Sequence, residues 1–346
     1  MKAVYVGLSG GVDSSVTAAL LKQQGYKVVG VFMKNWSQDL PGMPCPWKED
    51  YQDAKRVAVQ LGIDFKMYDF ETEYRQKVVD YMVAEYQAGR TPNPDIMCNQ
   101  EIKFKLFAQA AFEDGADLIA TGHYATTRDG KLLTAKDSNK DQTYFLYRVT
   151  TDALQKTLFP LGDYTKPEVR ELAKKFGLVT ATKKESMGIC FVGKVGIRDF
   201  LTYELGDQKP GAIIDEYGQK IGRHDGAIFY TIGQRHGLDV GGGLPYYVTG
   251  KDMNKNEVYV TTKIDDTNLW AKKLKLTSLH WISQIPKDGQ TVWVRTRHRA
   301  PLVEAKLRLK SDGAWLDLKD EIRAATPGQS AVVYVDNQCM GGGILC

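Results

Sequence analysis

The sequence predicts an α/β fold in three parts: a parallel-sheet domain over residues 1–196, a small β-rich central domain over 197–265 and a C-terminal β-barrel over 266–346. Short apolar runs alternate with helical patterns up to about residue 195, as in βαβ units. Glycine becomes frequent after residue 197, and apolar and polar residues alternate with period two from about residue 266. The length of 346 residues fits two or three domains.

The first domain contains successive strand and helix patterns. The predicted strands are Lys2–Leu8, Lys27–Met33, Asp64–Phe70 and Asp117–Tyr124. The predicted helices are Ser14–Gln24, Glu49–Leu61, Glu71–Tyr86 and Asn99–Phe112. Gly25 and Gly62 follow two of these helices, where a left-handed residue often ends a helix. Pro92 and Pro94 restrict the residues before them, so segment 89–95 is predicted to be an irregular loop.

The last domain shows the alternation typical of half-buried strands at 291–295 and 331–335, with glycine turn signals between strands. Segment 291–310 carries six lysines and arginines against one acidic residue. The alternation predicts that Arg295, Arg297 and Arg299 share one strand face, which would suit a nucleic-acid backbone. An ordinary solvated face is the alternative interpretation.

Composition excludes several protein classes. With 25% charged and 43% hydrophobic residues, the chain is neither disordered, collagen-like nor a disulfide scaffold. It begins without a signal-peptide pattern and has no apolar run long enough to span a membrane, so the sequence predicts a soluble, cytoplasmic protein. Five dispersed cysteines favour neither a disulfide framework nor a zinc ribbon. A net charge of +4 allows a polyanionic partner without requiring one.

The first strand runs into a glycine-containing turn that opens a helix, Gly7-Leu8-Ser9-Gly10-Gly11-Val12-Asp13-Ser14. Residues without side chains let the backbone approach a phosphate, and the helix N-terminus favours an anion. The turn is neither a Walker A loop nor GxGxxG, and a plain turn capped by Ser14 is the alternative. Asp13 is expected to hold Mg²⁺ on bound phosphates, or else to cap the helix.

Two cysteines occur near charged residues. Cys98 lies three residues after Asp95 at a predicted loop–helix junction, where the helix N-terminus would stabilise a thiolate. Cys190 follows Lys183-Lys184, whose charges would also lower a thiol pKa. Either cysteine alone could instead be a small buried hydrophobic residue. The remaining cysteines, Cys45, Cys339 and Cys346, have no reactive context and are expected to be structural.

The Ser9–Ser14 run resembles the PP-loop of ATP pyrophosphatases, enzymes that transfer AMP to a substrate oxygen and release pyrophosphate. Further motifs resemble, in order, those of the bacterial tRNA-specific 2-thiouridylases over nearly the whole chain. They are GRTPNPDIMCN (89–99), ATGHY (120–124), KDQTYFL (140–146), SMGICF (186–191), GQRHGL (233–238) and TPGQSAV (326–332). Met187 departs from the threonine that many relatives have there.

This resemblance implies a tRNA-modifying sulfurtransferase with an N-terminal PP-loop nucleotide-binding domain. Such an enzyme uses ATP to adenylate the 2-oxo group of the wobble uridine and replaces the oxygen by sulfur. Cys190 would receive the sulfur as a persulfide from a donor protein of the cysteine desulfurase relay. Cys98 would be the partner thiol in a transient Cys98–Cys190 disulfide, and Asp95 would act as acid or base beside the uracil.

The same resemblance implies two sets of binding residues. Those for ATP, with its Mg²⁺, are Gly7, Leu8, Ser9, Gly10, Gly11, Val12, Asp13, Ser14, Met33 and Gly122. Those for the anticodon stem-loop of tRNA are Asn93, Pro94, Asp95, His123, Lys140, Asp141, Gln142, Arg297, His298 and Gln329. No membrane or DNA partner is implied, and His123 alone could equally be a packed strand-end histidine.

Two other functions compete with this one. A PP-loop ligase acting on a small metabolite explains residues 9–14 equally well, but not two thiols in separate motifs or a basic β-domain. A non-enzymatic RNA-binding protein with a relic nucleotide site explains the basic domain, but the chain still has Asp13, Asp95, Cys98 and Cys190. The first alternative predicts ATP turnover without RNA, and the second predicts no pyrophosphate release.

Overall fold

The computed structural model describes residues 1–40, 45–184, 196–238, 240, 241, 243 and 245–346, so Cys190 lies outside the described residues. The N-terminal region has seven described strands. They are β1 (Ala3–Gly7), β2 (Lys27–Lys34), β3 (Asp64–Asp69), β4 (Leu118–Ala120), β5 (Thr126–Arg128), β6 (Lys131–Leu133) and β7 (Thr157–Leu158). Five of them form a parallel sheet in the order β3-β2-β1-β4-β7, which confirms the predicted α/β class.

The order of these strands places a ligand-binding edge beside β1. The chain moves outward from β1 to β2 and β3, then returns to add β4 on the other side of β1. Open α/β sheets bind ligands outside the carboxyl ends of the strands at such a reversal. The loops after β1 and β4 therefore meet at the predicted nucleotide site.

Helices cover the sheet. Two of the long helices consist of two α-helical segments joined by a π-helical segment. The described α-helices here are α1 (Val12–Gln23), α2 (Trp47–Leu61), α3 (Glu71–Tyr74), α4 (Asp80–Gln87), α5 (Pro94–Met97), α6 (Ala108–Glu113), α7 (Thr143–Leu146), α8 (Thr151–Gln155) and α9 (Lys166–Lys175). A π-helix, Arg75–Val79, joins α3 to α4, and a second, Cys98–Phe107, joins α5 to α6. π-Helical segments are rare in proteins, and those that occur often lie at functional sites.

The second of these long helices begins earlier than the sequence predicted. The irregular loop was expected to include Pro94 and Asp95, but both lie in α5. Asn93 caps the helix by accepting a hydrogen bond from the Ile96 amide at 3.4 Å. Proline suits the first turn because it has no amide hydrogen to satisfy and its φ is already helical. Pro94 therefore begins the helix instead of excluding it, whereas Pro92 stays in the irregular segment before it.

The central region begins with α10 (Ile197–Leu205) and contains a four-stranded sheet in the order β10-β11-β8-β9. Its strands are β8 (Gly211–Ile214), β9 (Lys220–His224), β10 (Tyr247–Asp252) and β11 (Glu257–Thr261). Short 3₁₀ turns occur at Ala227–Phe229 and Thr267–Leu269. Its own apolar core contains Ile213, Tyr230 and Val258.

The C-terminal strands close into a six-stranded barrel, as predicted. They are β12 (Trp270–Trp281), β13 (Thr291–Arg295), β14 (Val303–Lys310), β15 (Gly313–Arg323), β16 (Ser330–Val335) and β17 (Gln338–Leu345). The order is β12-β15-β14-β13-β16-β17, and β17 pairs back with β12. The β5–β6 hairpin of the N-terminal region pairs with β17 and extends this sheet.

One prediction about the barrel is wrong. Arg295, Arg297 and Arg299 do not share a strand face, because β13 ends at Arg295. Arg299 has a φ of 63°, a left-handed conformation that belongs to a turn and not to a strand. The next strand, β14, carries the exposed cations Lys306, Arg308 and Lys310 at alternating positions.

None of the helices in the described part of the chain is long and apolar enough to cross a membrane.

Helix α10 is tied to the N-terminal region by a charge pair. The Arg75 guanidinium donates to both carboxylate oxygens of Glu204, at 2.7 and 2.5 Å. The Glu204 side chain is only 5% exposed, whereas that of Arg75 is 40% exposed. Loss of the partner of a nearly buried carboxylate lowers the free energy of unfolding, because neither water nor another donor replaces the lost hydrogen bonds.

We expect Arg75→Met to lower the free energy of unfolding by about 1–3 kcal/mol. Urea denaturation of the whole chain measures this change. The double variant Arg75→Met, Glu204→Gln should recover most of the loss, since it removes the unpaired charge. An equal loss in both variants would show that the packing of Arg75, and not the charge pair, stabilises α10.

Candidate nucleotide and sulfur-transfer site

The turn after β1 forms a compact loop whose polar atoms are held by short-range bonds. The Ser9 amide donates to Ser14 Oγ at 3.2 Å, and Ser14 Oγ donates to the Gly11 carbonyl at 3.1 Å. Ser15 Oγ also donates to that carbonyl, at 2.7 Å. These bonds fix the loop at the N-terminus of α1, where a helix attracts anions.

Two glycines let other backbone segments approach this loop. Gly10 has a φ of 74°, and a Cβ there would overlap the backbone oxygen of Asp50. A Cβ on Gly122, in the loop after β4, would lie 2.8 Å from the amide nitrogen of Ser14. The structure therefore brings together the predicted residues of the β1 and β4 loops. Met33 lies beside them, with Cε 3.0 Å from where a Cβ on Gly7 would be.

Asp13 points to a lysine that the motifs did not indicate. Lys166 Nζ lies 2.7 and 2.9 Å from the two Asp13 oxygens, and the Tyr124 hydroxyl donates to one of them at 3.0 Å. The Lys166 side chain is 11% exposed. The capping box of Thr165 and Glu168 marks the start of α9 in the sequence, but no local pattern shows that Lys166 reaches Asp13.

Asp13 is a candidate carboxylate ligand for a metal ion. Among the described residues, no group of three or more His, Cys, Asp or Glu side chains could hold a metal ion. Mg²⁺ commonly takes one or two carboxylates together with substrate phosphates and water. The residues present therefore fit a Mg²⁺ ion that arrives with a nucleotide.

Lys183 was expected to lower the pKa of Cys190. Its ammonium instead lies 2.8 Å from Asp50 Oδ1 and 2.6 Å from Asp53 Oδ2, so two carboxylates already neutralise it. Burial lowers the pKa of Lys183, but hydrogen bonds to Asp50 and Asp53 raise it more, and the net shift is upward. The expected effect on Cys190 stays a prediction, since that residue lies outside the described chain.

The segment before α5 is held by the barrel. The Thr91 amide donates to the Pro327 carbonyl at 2.9 Å, and Gln329 Nε2 donates to the Thr91 carbonyl at 2.9 Å. Thr91 Oγ1 also lies 3.1 Å from Thr231 Oγ1 of the central region. Gln329, which the resemblance assigns to tRNA, is thus engaged with the protein and positions residues 91–93.

Asp95 and Cys98 lie near each other on the helix that this segment opens, three residues apart. Asp95 Oδ1 is buried and accepts no hydrogen bond from any described residue. A buried carboxylate oxygen without a donor is costly, so Asp95 is suited to a ligand that supplies one.

Cys98 is not the activated thiolate that the sequence predicted. It is 1% exposed, and burial raises the pKa of its thiol to about 11, with a further rise from the charge of Asp95. The charge of Lys103 and a hydrogen bond with Tyr74 act in the opposite direction. The helix begins at Pro94, so Cys98 lies beyond the first turn, to which the helix dipole effect is confined.

Family models match three consecutive parts of the chain. They are described as a tRNA methyl transferase HUP domain (residues 2–194), a tRNA methyl transferase PRC-barrel domain (198–262) and an aminomethyltransferase β-barrel domain (271–345). The tRNA-specific 2-thiouridylase MnmA of Streptococcus sanguinis is 46% identical over 353 aligned residues, which cover 99% of this chain and 94% of that protein. The MnmA of Bacillus subtilis is 46% identical over 350 residues, with the same coverage of both chains.

The chain belongs to the tRNA-specific 2-thiouridylase family. Among solved structures, a 4-thiouridine synthetase bound to RNA and ATP aligns with 55% of this chain and 45% of its own length, at 18% identity. Its TM-score of 0.39 is too low to bear on fold or function.

Some residues that the family resemblance assigns to tRNA are buried. His123 is 9% exposed, its Nδ1 lies 2.8 Å from Thr121 Oγ1, and it packs against Phe104 and Phe159. Burial, with a smaller contribution from the charge of Lys103, keeps its pKa well below the usual value, so the ring is neutral. His123 is thus packed as the alternative interpretation expects, and its contact with tRNA stays a prediction.

Asp141 and Gln142 also bond within the protein. Asp141 is 3% exposed and accepts hydrogen bonds from the amide and hydroxyl of Thr143, at 2.8 and 2.7 Å. Gln142 Oε1 accepts from the Tyr124 amide at 2.9 Å. The Gln142 contact joins the 140–142 segment to the loop that follows β4, whereas the Asp141 bonds are local.

A basic cluster at one end of the barrel contains the other assigned residues. Burial lowers the pKa of His298 to about 4, and the charges of Arg299, Arg295 and Lys140 contribute. His298 packs against Phe145 at 4.7 Å, and its Nδ1 has no hydrogen-bond partner in the described structure. The structure thus brings Lys140 and His298 together from motifs about 160 residues apart.

We expect Gly10→Ala to weaken the binding of ATP, the ligand implied by the resemblance, at least about tenfold. The added methyl group overlaps the Asp50 backbone, so the loop must move. Gly25→Ala is the matched control, because Gly25 has a φ of 85° but nothing within 4 Å of its Cβ position. Calorimetric titration measures the affinity of both variants for ATP. Equal affinities would contradict the assignment of this loop to ATP binding.

We expect Cys98 in the free protein to react with iodoacetamide at least about 100-fold more slowly than an ordinary thiol at pH 8. A pKa raised from 9.0 to about 11 leaves less thiolate below pH 11, and burial slows the reaction further. The rate should rise as the pH approaches 11. Peptide mass spectrometry measures it, with the exposed Cys346 as internal reference. Equal rates at Cys98 and Cys346 would contradict the burial of Cys98.

Proposed function

We propose that the protein is an ATP-dependent tRNA-uridine 2-sulfurtransferase that produces 2-thiouridine at the wobble position of the anticodon. The observation that carries the proposal is the match to 2-thiouridylases over 99% of the chain, which includes the nucleotide loop and both thiol motifs. The geometry adds the anion-binding loop at the carboxyl edge of the sheet and an Asp95 oxygen without a protein donor among the described residues.

ATP is needed because the oxygen on C2 of uracil is a very poor leaving group. In the proposed first step, this oxygen attacks the α-phosphorus of ATP, and pyrophosphate leaves. The loop amides of residues 9–14 and the ammonium of Lys166 would bind the phosphates. Asp13 would provide the carboxylate for a Mg²⁺ ion carried by ATP, and Met33 and Gly122 would flank the adenosine.

Sulfur would then arrive at C2 as a nucleophile. The terminal sulfur of a Cys190 persulfide forms a bond to C2, and the C2–O bond breaks as AMP leaves. The Cys98 thiolate next attacks the Cys190 sulfur and breaks the S–S bond, which leaves sulfur on C2 and a Cys98–Cys190 disulfide. Alternatively, Cys98 attacks first and frees sulfide, which then attacks C2. External thiols reduce the disulfide in both cases.

Asp95 would bind the uracil or transfer its proton, since one of its buried oxygens lacks a donor among the described residues and the N3–H of uracil can supply one. Lys140, Arg297 and His298 would contact the anticodon loop, where an unstacked base can be recognised at its edges. A donor protein would load the persulfide on Cys190. A cytoplasmic location also stays a prediction.

The proposal is tested by incubating the protein with ATP, Mg²⁺, a persulfide donor and unmodified tRNA. Nucleoside mass spectrometry should then detect 2-thiouridine. Pyrophosphate release should depend on tRNA, whereas a small-metabolite ligase would turn over ATP without RNA. The absence of both products with active donor and folded tRNA would contradict the function.

We expect Cys190→Ser to abolish 2-thiouridine formation while tRNA-dependent pyrophosphate release persists, because adenylation precedes sulfur transfer. Asp13→Ala should instead suppress pyrophosphate release, since it removes the carboxylate for Mg²⁺ and the partner of Lys166. The same reaction mixtures measure both products. Wild-type thiolation by the Cys190 variant would exclude Cys190 as the sulfur carrier, and normal pyrophosphate release by the Asp13 variant would exclude the metal role.

A further inference from the structure

The outer wall of the barrel carries a basic surface that the nucleotide and sulfur-transfer chemistry does not use. We define the Trp315 surface as Trp315 and the nine charged side chains named next, which lie on β12, β14, β15 and the turn between β14 and β15. Its cationic members are Lys273, Lys275, Lys306, Arg308, Lys310 and Lys319, and its acidic members are Glu304, Asp312 and Asp317. Strand pairing makes the set contiguous, because Trp315 lies opposite both Lys275 and Arg308.

Trp315 is surrounded by ammonium groups. The Nζ atoms of Lys310, Lys275 and Lys273 lie 5.3, 5.7 and 6.0 Å from the centre of its ring. The ring attracts each cation through its quadrupole, so three long side chains converge on one place. Positive charges held this close repel one another unless an anion neutralises them.

The acidic side chains neutralise only part of this charge. Asp312 pairs with Lys275 at 2.7 Å, and Asp317 lies 3.5 Å from Lys273 and 3.6 Å from Arg308. Among the described residues, no carboxylate lies within ion-pair distance of Lys306 or Lys310. Both lysines are exposed, so they are available to an external anion.

The surface is connected to the candidate catalytic segment. Strand β12 pairs with β17 at Leu345, and the Leu345 carbonyl accepts a bond from the Gly328 amide at 3.0 Å. The neighbouring Pro327 carbonyl accepts the bond from Thr91. A series of backbone hydrogen bonds therefore links Lys275 of the surface, through the end of β17, to Thr91 just before residues 93–95.

We propose that the Trp315 surface binds the sugar-phosphate backbone of tRNA outside the target nucleotide. The inference rests on the proposed function and adds a binding surface to it. Convergent lysines suit phosphates, which they contact as point charges without reading the base sequence. The surface contributes affinity and orientation and takes no part in the chemistry.

The test compares wild-type protein with Lys306→Gln, Lys310→Gln. Neither lysine has a carboxylate partner in the described part of the chain, so their removal leaves no acidic group there unpaired. Each lysine–phosphate contact that a variant removes lowers the slope of log affinity against log salt concentration by about 0.7–0.9, so the double variant should lower it by about 1.4–1.8. Filter binding of unmodified tRNA at several salt concentrations measures the slope.

The matched control is Lys175→Gln, Lys209→Gln, which removes the same charge from exposed lysines on other parts of the chain. Its slope should equal that of wild type. In turnover assays the Lys306, Lys310 variant should raise the KM for tRNA with kcat unchanged, because the proposed surface takes no part in the chemistry. A slope equal to wild type would show an ordinary solvated face and overturn the proposal.

Three further outcomes separate this proposal from others. Unchanged tRNA binding with a raised KM for the sulfur-donor protein would assign the surface to an acidic protein and overturn the proposal. If wild type binds tRNA but makes no 2-thiouridine, the proposed function fails, while the salt slopes still decide whether this surface binds RNA. If the double variant binds tRNA like wild type and thiolation proceeds, the proposed tRNA binding by the Trp315 surface is wrong, whereas the proposed function is supported.

Discussion

The structure depends on a strand that is buried on both faces. Along β16, Ala331 and Val333 pack into the barrel, whereas Val332 and Tyr334 pack into the core of the N-terminal domain. Period-two alternation makes this division possible, since neighbouring side chains point to opposite faces. Because β16 contributes side chains to both apolar cores, a shift of the barrel relative to the N-terminal domain would expose apolar side chains to water. The residues just before this strand contact Thr91, so they fix the segment that leads to the candidate thiol and carboxylate.

Within this frame, the charged groups near the candidate site bind one another. Asp13 pairs with Lys166, and Lys183 pairs with Asp50 and Asp53. Partly buried charges need partners, because desolvation otherwise favours their neutral forms. A nucleotide phosphate would give Lys166 a second, more highly charged partner. Mg²⁺ would then replace the Lys166 ammonium as the cation beside Asp13. The internal pair thus holds both side chains in place before the substrate binds.

Local pattern was sufficient to predict the nucleotide loop and the strand-rich character of the sheet and barrel domains, because residue periodicity and glycine placement are properties of neighbours in sequence. The start of α5 was misjudged because Pro94 can both end a loop and begin a helix, and capping by Asn93 decides between them. The arginine alternation after Arg295 suggested a strand, but the turn at Arg299 overrides it. The Lys166 contact and the β6–β17 pairing could not be predicted, since they join residues more than 150 positions apart. The pKa of Cys98 likewise depends on burial by distant segments.

The burial of Cys98 bears on the order of steps in the proposed reaction. A persulfide is labile toward any accessible thiolate, so in the proposed reaction a reactive Cys98 thiolate would discharge the sulfur carried by Cys190 before the uridine is activated. Burial avoids this by keeping the Cys98 thiol protonated at neutral pH, with its pKa near 11. Lys103 and Tyr74 already act on this thiol in the opposite direction. A movement that admitted water or the target base would remove the desolvation while keeping their effect. Such coupling would make Cys98 nucleophilic only when the substrate is present, so the buried thiol is compatible with the role that its motif implies.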